Sequence, residues 1–273
     1  MAGLHLRETL GALRDRIARL ENRPGLAGHV SEAPGAGGDL LAAPAGLLHE
    51  VFTDEERNAS ASLGFALGSA QRLVSPARAA FVYLQLAKDA GQLGLPYGPG
   101  LAHFGIPPQA IVMGRIEAMP DLLWALEEAV ACRAVAAVLA DISGAPRALD
   151  FTASRRLSLR AGSAGTSIFI LRYGIGRAAS AAQLRWRVEP APSGEAMFDP
   201  RAPAGPRFRV TLEKGRLANG PPALETAVLV DWTADGFVFA ADRIAADRER
   251  PRAGPALHGP APAALGNRLS QTG

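Results

Sequence analysis

Two long apolar runs, residues 79–86 (AAFVYLQL) and 134–142 (AVAAVLADI), constrain the fold of this chain more than any other feature. Runs of this length with aromatic or β-branched members are typical of strands that are covered on both faces, as in a parallel sheet. Between them lies a strong amphipathic helix over residues 120–132, which begins with a proline. The alternation predicts an α/β domain built from parallel βαβ units.

The same pattern extends along most of the chain and changes after residue 174. Further strands are predicted over residues 47–52, 110–114 and 167–172, and further helices over 59–73 and 150–162. The later segments are short, apolar or alternating, and separated by proline and glycine: 184–189, 207–213, 227–232 and 237–240. They predict antiparallel strands added to one edge of the sheet after the core.

The ends of the chain differ from this body in composition. Residues 1–24 predict a separate amphipathic helix whose apolar seam is formed by Leu6, Leu10, Leu13, Ile17 and Leu20. Residues 25–46 predict a linker, residues 47–245 the folded domain, and residues 246–273 a disordered tail. A helix behind such a linker must either fold back on the domain or dock on a partner, and both interpretations stay open.

Charge and cysteine content restrict the broad class of protein. The formal net charge is only +3, and Lys88 and Lys214 are the only lysines among 29 basic residues. Cys132 is the single cysteine, which excludes a disulfide framework within the chain. The N-terminus has charges within its apolar pattern, unlike a signal peptide, and no apolar run reaches the roughly 20 residues that span a bilayer. We therefore expect a cytoplasmic protein without membrane contact.

An ordered set of segments resembles a known family. The segments are GLLHEVF, DLLWALEEAVAC, AVAAVLADI, LDFTASRRLSLRA and LRWRVEPAPS. Together they resemble the ImuA family, the RecA-like proteins of bacterial mutagenesis cassettes, over about residues 4–240. The most distinctive pieces are the TASRRL helix and the RWRV strand followed by PAPS. The resemblance implies a RecA-like, mostly parallel sheet flanked by helices.

The same resemblance implies an accessory role in damage-induced translesion DNA synthesis, within the SOS response. Family members act beside an ImuB-like homologue of Y-family polymerases and an error-prone replicative-type polymerase, and RecA is a further expected partner. The resemblance therefore favours a non-catalytic protein that works through protein contacts. The alternatives are a divergent DNA-stimulated ATPase, a SulA-like cell-division inhibitor and a single-stranded DNA-binding protein.

The loop after the first strand argues against nucleotide chemistry. RecA-type ATPases place G-x-x-x-x-G-K-[ST] there, so that backbone N–H groups and a lysine hold the phosphates. In this chain Thr53 stands at the first glycine, and Asn58, Ala59 and Ser60 stand about where Gly-Lys-Thr belongs. Three consecutive carboxylates occupy the loop, and Arg57 is its one basic residue. We predict a degenerate loop, no bound cofactor and no enzymatic activity.

Other catalytic or metal-binding patterns are weak. Asp141 ends an apolar strand at the position of a magnesium-binding Walker B aspartate. Without the phosphate loop, we interpret it as a vestige, or as a cap for the following turn. The histidines lack ligand spacing, the adjacent Glu127 and Glu128 are expected on a solvated face, and no G-x-S-x-G elbow occurs. We predict neither a metal site nor a catalytic residue.

Arginines form the remaining candidate site. Arg155 and Arg156 lie on one predicted helix, whereas two further pairs, Arg185 with Arg187 and Arg207 with Arg209, flank aromatic residues on predicted strands. Residues two apart in a strand share a face, so pairing of these strands would form a stripe of one charge sign. Such a stripe could bind nucleic acid or an acidic partner. The alternative, slightly favoured, is a solvated outer face opposite the core.

Overall fold

The computed structural model describes residues 41–195, 199, 201–217 and 225–240. The predicted helix over residues 1–24, most of the predicted linker and the predicted tail over 246–273 lie outside the described residues. The strands are β1 Leu48–Thr53, β2 Ala80–Leu86, β3 Ile111–Ile116, β4 Val135–Ile142, β5 Ser167–Tyr173, β6 Leu184–Ala191, β7 Arg207–Lys214, β8 Ala227–Thr233 and β9 Gly236–Phe239. The helices are α1 Ala59–Gln71, α2 Ala87–Leu93, α3 Gly98–His103, α4 Met119–Ala131 and α5 Phe151–Ala164.

The strands form one mixed sheet in the order β3-β2-β4-β5-β1-β6-β7-β8-β9. Neighbouring strands are parallel from β3 through β6, and β7, β8 and β9 continue the sheet in antiparallel fashion. Helices pack on both faces. This confirms the expected mostly parallel sheet flanked by helices, with antiparallel strands added after the core.

The direction of β6 corrects one detail of the prediction. Residues 184–189 were expected to be antiparallel, but β6 runs parallel to β1, with His49 opposite Leu184. Residues 174–183 return the chain from the end of β5 to the start of β6, beside the start of β1, without forming a helix. A return of this kind makes the next strand parallel, so β7 is the first antiparallel strand.

Helix α1 is surrounded by apolar structure rather than lying on the surface. Phe65 packs against Trp186 and Phe237, with ring centroids 5.3 Å apart in both pairs. A Cβ at Gly68 would lie 2.7 Å from the Phe237 ring, and one at Gly64 would lie 2.9 Å from Phe104. The two glycines therefore allow aromatic side chains to contact the helix backbone closely, because no side chain intervenes.

The N-termini of α5 and α1 differ in how they are capped. Asp150 precedes α5 and its Oδ1 accepts the Ala153 N–H at 2.7 Å, as expected of an N-cap. Asn58 is the N-cap residue of α1, but its side chain makes no capping hydrogen bond. Helix α1 instead continues directly from a 3₁₀ turn, Glu56–Asn58.

Among the described residues, no helix is both long and apolar enough to cross a membrane.

Candidate functional site

The connection between β1 and α1 lies where a phosphate-binding loop would be. Thr53 is the fully buried last residue of β1, and α1 begins at Ala59. Thr53 therefore belongs to the strand, and Ala59 and Ser60 belong to the helix. Residues 54–58 are the whole connection, and they contain no glycine with which to wrap a phosphate group.

Arg177 ties this connection to two other strands. Its guanidinium donates to Asp54 at 2.7 Å, to Glu213 of β7 at 2.8 Å and to the carbonyl of Gly174, after β5, at 2.6 Å. It also lies 4.2 Å from the centre of the Phe52 ring. Burial opposes the charged form of Arg177, but its hydrogen bonds to Glu213 and Asp54 outweigh burial and raise its pKa. We call this arrangement the Arg177 clamp.

The other charged side chains of the connection are also engaged within the protein. Glu55 forms an ion pair with Arg57, the one basic residue of the connection. Glu56 accepts a hydrogen bond from Gln92 of α2 at 2.9 Å. Asp54 has a second cation, Arg187, at 3.6 Å. The carboxylates of residues 54–56 thus face the protein's own donors.

Asp141 occupies the expected position on β4 but faces tyrosines. Its Oδ2 accepts from the Tyr83 hydroxyl at 2.7 Å and from Gln85 at 3.3 Å, and the Tyr173 hydroxyl lies close enough to favour its charged form. Burial nevertheless raises the pKa of Asp141. The following turn is held by another carboxylate, since the N–H of Ser143 donates to Asp89. No metal-binding cluster of His, Cys, Asp or Glu is found in the described part of the chain.

The predicted arginine stripe lies on one face of β6 and β7 but does not carry one sign of charge. Glu189 lies opposite Arg209, and Ala191 lies opposite Arg207, which places the odd-numbered residues of both strands on the same face. Their even-numbered neighbours, including Trp186, are buried in the core. The same-face prediction therefore agrees with the observed register.

Each arginine of the stripe faces a carboxylate. Arg185 donates to Glu50 at 2.9 Å, and Arg207 makes two bonds to Asp231, at 2.6 and 2.9 Å. Arg187 lies 3.6 Å from Asp54, and Arg209 lies 3.8 Å from Glu189. The expectation of one charge sign was wrong because β1, the β1–α1 connection, β6 itself and β8 supply the carboxylates.

The arginines of α5 are divided between an interhelical contact and solvent. Arg156 and Arg160 both pair with Glu127 of α4, the latter at 2.9 Å. Glu127 is 8% exposed, so the expectation that it lies on a solvated face was wrong. Arg155 is exposed. This part of the predicted basic surface therefore helps to join α4 to α5.

Comparison with known proteins identifies the relatives of the chain. Protein ImuA of Caulobacter vibrioides is 36% identical over 131 residues, in strains NA1000 / CB15N and ATCC 19089 / CIP 103742 / CB 15. The resemblance to the ImuA family is confirmed. The match covers 44% of this chain and 51% of each relative, so the chain spans about half the length of the curated relatives it matches.

Two further comparisons provide less information than the similarity to ImuA. No family model matches the chain. Among solved structures, the RadB recombinase is similar over 71% of this chain and 90% of its own, with 15% sequence identity and a TM-score of 0.43.

Neither the ImuA resemblance nor the spacing of residues pointed to the Arg177 clamp or to the tyrosines at Asp141. Arg177 lies in a loop between strands, where sequence pattern does not predict side-chain direction. A signal was present nearby, because Glu50 and Arg172 are charged residues within otherwise apolar strands and both are buried. Buried charges need partners, so such residues mark charge clusters inside a sheet.

Proposed function

We propose that this chain is a non-catalytic accessory protein of a bacterial mutagenesis cassette, acting in damage-induced translesion DNA synthesis through contacts with other proteins. The similarity to ImuA supports the cellular setting. The observation that carries the non-catalytic part is the connection after β1, which lacks glycine and lysine and is held by the Arg177 clamp. Such a protein would work in the cytoplasm, where bacterial DNA is replicated.

Electrostatics disfavours a nucleotide at this position. A phosphate group placed about 4 Å from one carboxylate is repelled by about 4 kcal/mol at the effective dielectric constant near a protein surface. Residues 54–56 contribute three carboxylates, and the nearby guanidinium groups of Arg57, Arg177 and Arg187 are already paired with Glu55 and Asp54. Displacing Asp54 from Arg177 to admit a phosphate would also break a partly buried ion pair. The tyrosine contacts of Asp141 further support a structural role for that residue.

Equilibrium binding of labelled ATP tests this proposal. With magnesium, and with or without single-stranded DNA, we expect no binding tighter than a Kd of about 1 mM, which corresponds to about 4 kcal/mol. The Asp141→Ala variant is measured in parallel, with Asp141→Asn as the control that keeps the side-chain shape. Tight, magnesium-dependent binding that Asp141→Ala abolishes would show a divergent ATPase instead.

The partners are proposed from the ImuA resemblance and from the N-terminal seam. An ImuB-like protein, RecA or an error-prone polymerase would provide the apolar surface that covers Leu6, Leu10, Leu13, Ile17 and Leu20. The seam is the part of the sequence best suited to this contact, because its leucines repeat at heptad spacing behind a Gly- and Pro-rich linker.

A pull-down of these candidate partners tests the seam. Deletion of residues 1–24 is expected to abolish capture, and Leu13→Glu is expected to weaken it at least tenfold because a charge enters the apolar seam. Arg14→Glu is the control, since it changes the charge of the adjacent residue outside the seam. Undiminished capture by the deletion variant would remove the helix from the proposal, leaving the ATP-binding result unaffected.

A further inference from the structure

Strand β3 leaves one side of its backbone open to pairing. It is the first strand of the sheet and pairs with β2, and no other described strand lies against its outer side. Val112 is 63% exposed and Met113 is 40% exposed. Natural proteins protect such edges with lysine, proline or very short strands, yet β3 has six residues and a single charge, Arg115. The opposite edge, β9, has only four residues.

The chain's own remaining segments are poor candidates to cover β3. The described chain ends at Ala240, just after β9. Residues 248–273, near the end of the chain, are rich in proline, glycine and alanine, which are poor strand formers. Residues 22–40, which precede the described part, are rich in glycine, proline and alanine and therefore have low strand propensity. A strand from a second copy of the chain is a better occupant.

We propose that β3 pairs antiparallel with β3 of a second copy, forming a two-fold symmetric dimer with one continuous sheet. Directly opposite residues in antiparallel strands must lie on the same face of the sheet. Centring the pair on Gly114 satisfies this requirement and places Val112 opposite Ile116 of the second copy. The two glycines then meet at the symmetry axis without side chains, so nothing collides there.

In this register, the side chains that lie opposite each other are compatible on both faces of the sheet. Val112 and Ile116 lie on the face that carries α4, since their β2 neighbours Val82 and Leu86 pack in that core. β-Branched side chains are favoured in strands because they pack well against their cross-strand neighbours. On the other face, Met113 lies opposite Arg115 of the second copy, whose aliphatic stem can cover the thioether. The symmetry supplies both pairs twice, as expected of an isologous interface.

Sedimentation equilibrium of the full chain at about 1–100 µM tests the dimer. We expect a reversible monomer–dimer equilibrium and a dissociation constant at least tenfold higher for Val112→Lys, because two lysines would enter the paired edge. Val74→Lys is the matched control, since Val74 is another exposed valine, in the turn after α1. A monomer throughout this range, or a dimer equally weakened by both variants, would overturn the proposal.

Disulfide trapping tests the register separately. With Cys132 replaced by serine, the double variant Val112→Cys/Ile116→Cys is expected to form a covalent dimer on mild oxidation. The control pair Val112→Cys/Arg115→Cys places its thiols on opposite faces and is expected to form no covalent dimer under the same conditions. Equal trapping of both pairs would overturn the register centred on Gly114. Neither experiment depends on the proposed role in translesion synthesis.

Discussion

Lowering the pH from 7 to 3 is expected to reduce the free energy of unfolding of the unmodified protein by about 4 kcal/mol more than that of the His49→Phe variant. His49 lies on β1, is 3% exposed and stacks on Phe169 with ring centroids 4.3 Å apart. Neither ring nitrogen has a hydrogen-bond partner among the described residues. Burial therefore lowers the pKa of His49 from 6.5 to about 3.

The direction of the effect follows from the two states of the chain. Well above pH 6.5 the imidazole is neutral in both states and contributes no pH dependence. Between the unfolded value of 6.5 and the folded value of about 3, the unfolded chain binds a proton that folded His49 does not. The free energy of unfolding therefore falls by up to about 1.4 kcal/mol per pH unit through this window, and the loss levels off below it.

Urea unfolding at unit steps between pH 7 and pH 3 measures this difference. Phenylalanine keeps an aromatic ring against Phe169, so the native packing is retained while the titrating group is removed. Ser69→Ala serves as the control, because Ser69 lines the same small cavity beside His49 but does not titrate. Parallel pH profiles for the native protein and His49→Phe would contradict the assignment of a buried, neutral imidazole.

Arg207→Ala is expected to lower the free energy of unfolding by about 3 kcal/mol, whereas Arg209→Ala should lower it by less than about 1 kcal/mol. The Asp231 side chain is only 1% exposed and receives two hydrogen bonds from Arg207. Its interaction with Asp231 raises the pKa of Arg207. Removing the guanidinium would take two charge-assisted hydrogen bonds from a buried carboxylate. Arg209 is half exposed and lies 3.8 Å from its partner.

Denaturant unfolding of the two variants provides a matched comparison, because both arginines lie on β7 and on the same face. The double variant Arg207→Ala/Asp231→Ala should be less destabilised than Arg207→Ala alone, since the buried carboxylate that loses the two hydrogen bonds is removed as well. Equal losses of unfolding free energy for Arg207→Ala and Arg209→Ala would show that the buried Arg207–Asp231 pair contributes no more to stability than the exposed Arg209–Glu189 pair. Binding experiments on the arginine stripe should therefore use substitutions of Arg209 and Arg187, which are expected to lower the stability of the fold less.

The strands of the parallel core were predictable because they combine apolar runs with β-branched residues and alternate with amphipathic helices. Residues 134–142 show this best, since every residue of β4 is buried. The direction of β6 was not predictable, because residues 174–183 make the return without a helix and leave no periodic pattern. Helix α2 was also missed, since its seven residues follow β2 directly and are too few to show a clear helical period.

The candidate site, too, could be predicted from the sequence only in part. The absence of the phosphate-binding motif could be seen in residues 53–60, because glycine and lysine are identified by residue type alone. The charge pairing could not be seen, because Arg185 and Glu50 are 135 positions apart in the chain. Strand periodicity places a side chain on one face or the other, but not the carboxylate that faces it. The N-terminal helix and its seam remain a prediction.

The enclosure of α1 has a consequence for synthesis of the protein on the ribosome. Gly68 receives the ring of Phe237, so the helix meets its last aromatic neighbour 169 residues later in the chain. At about 5–20 residues per second, that stretch takes roughly 10–30 s to translate. Until then the apolar surface of α1 lacks its native cover, a period in which a chaperone would find a binding site on the nascent chain.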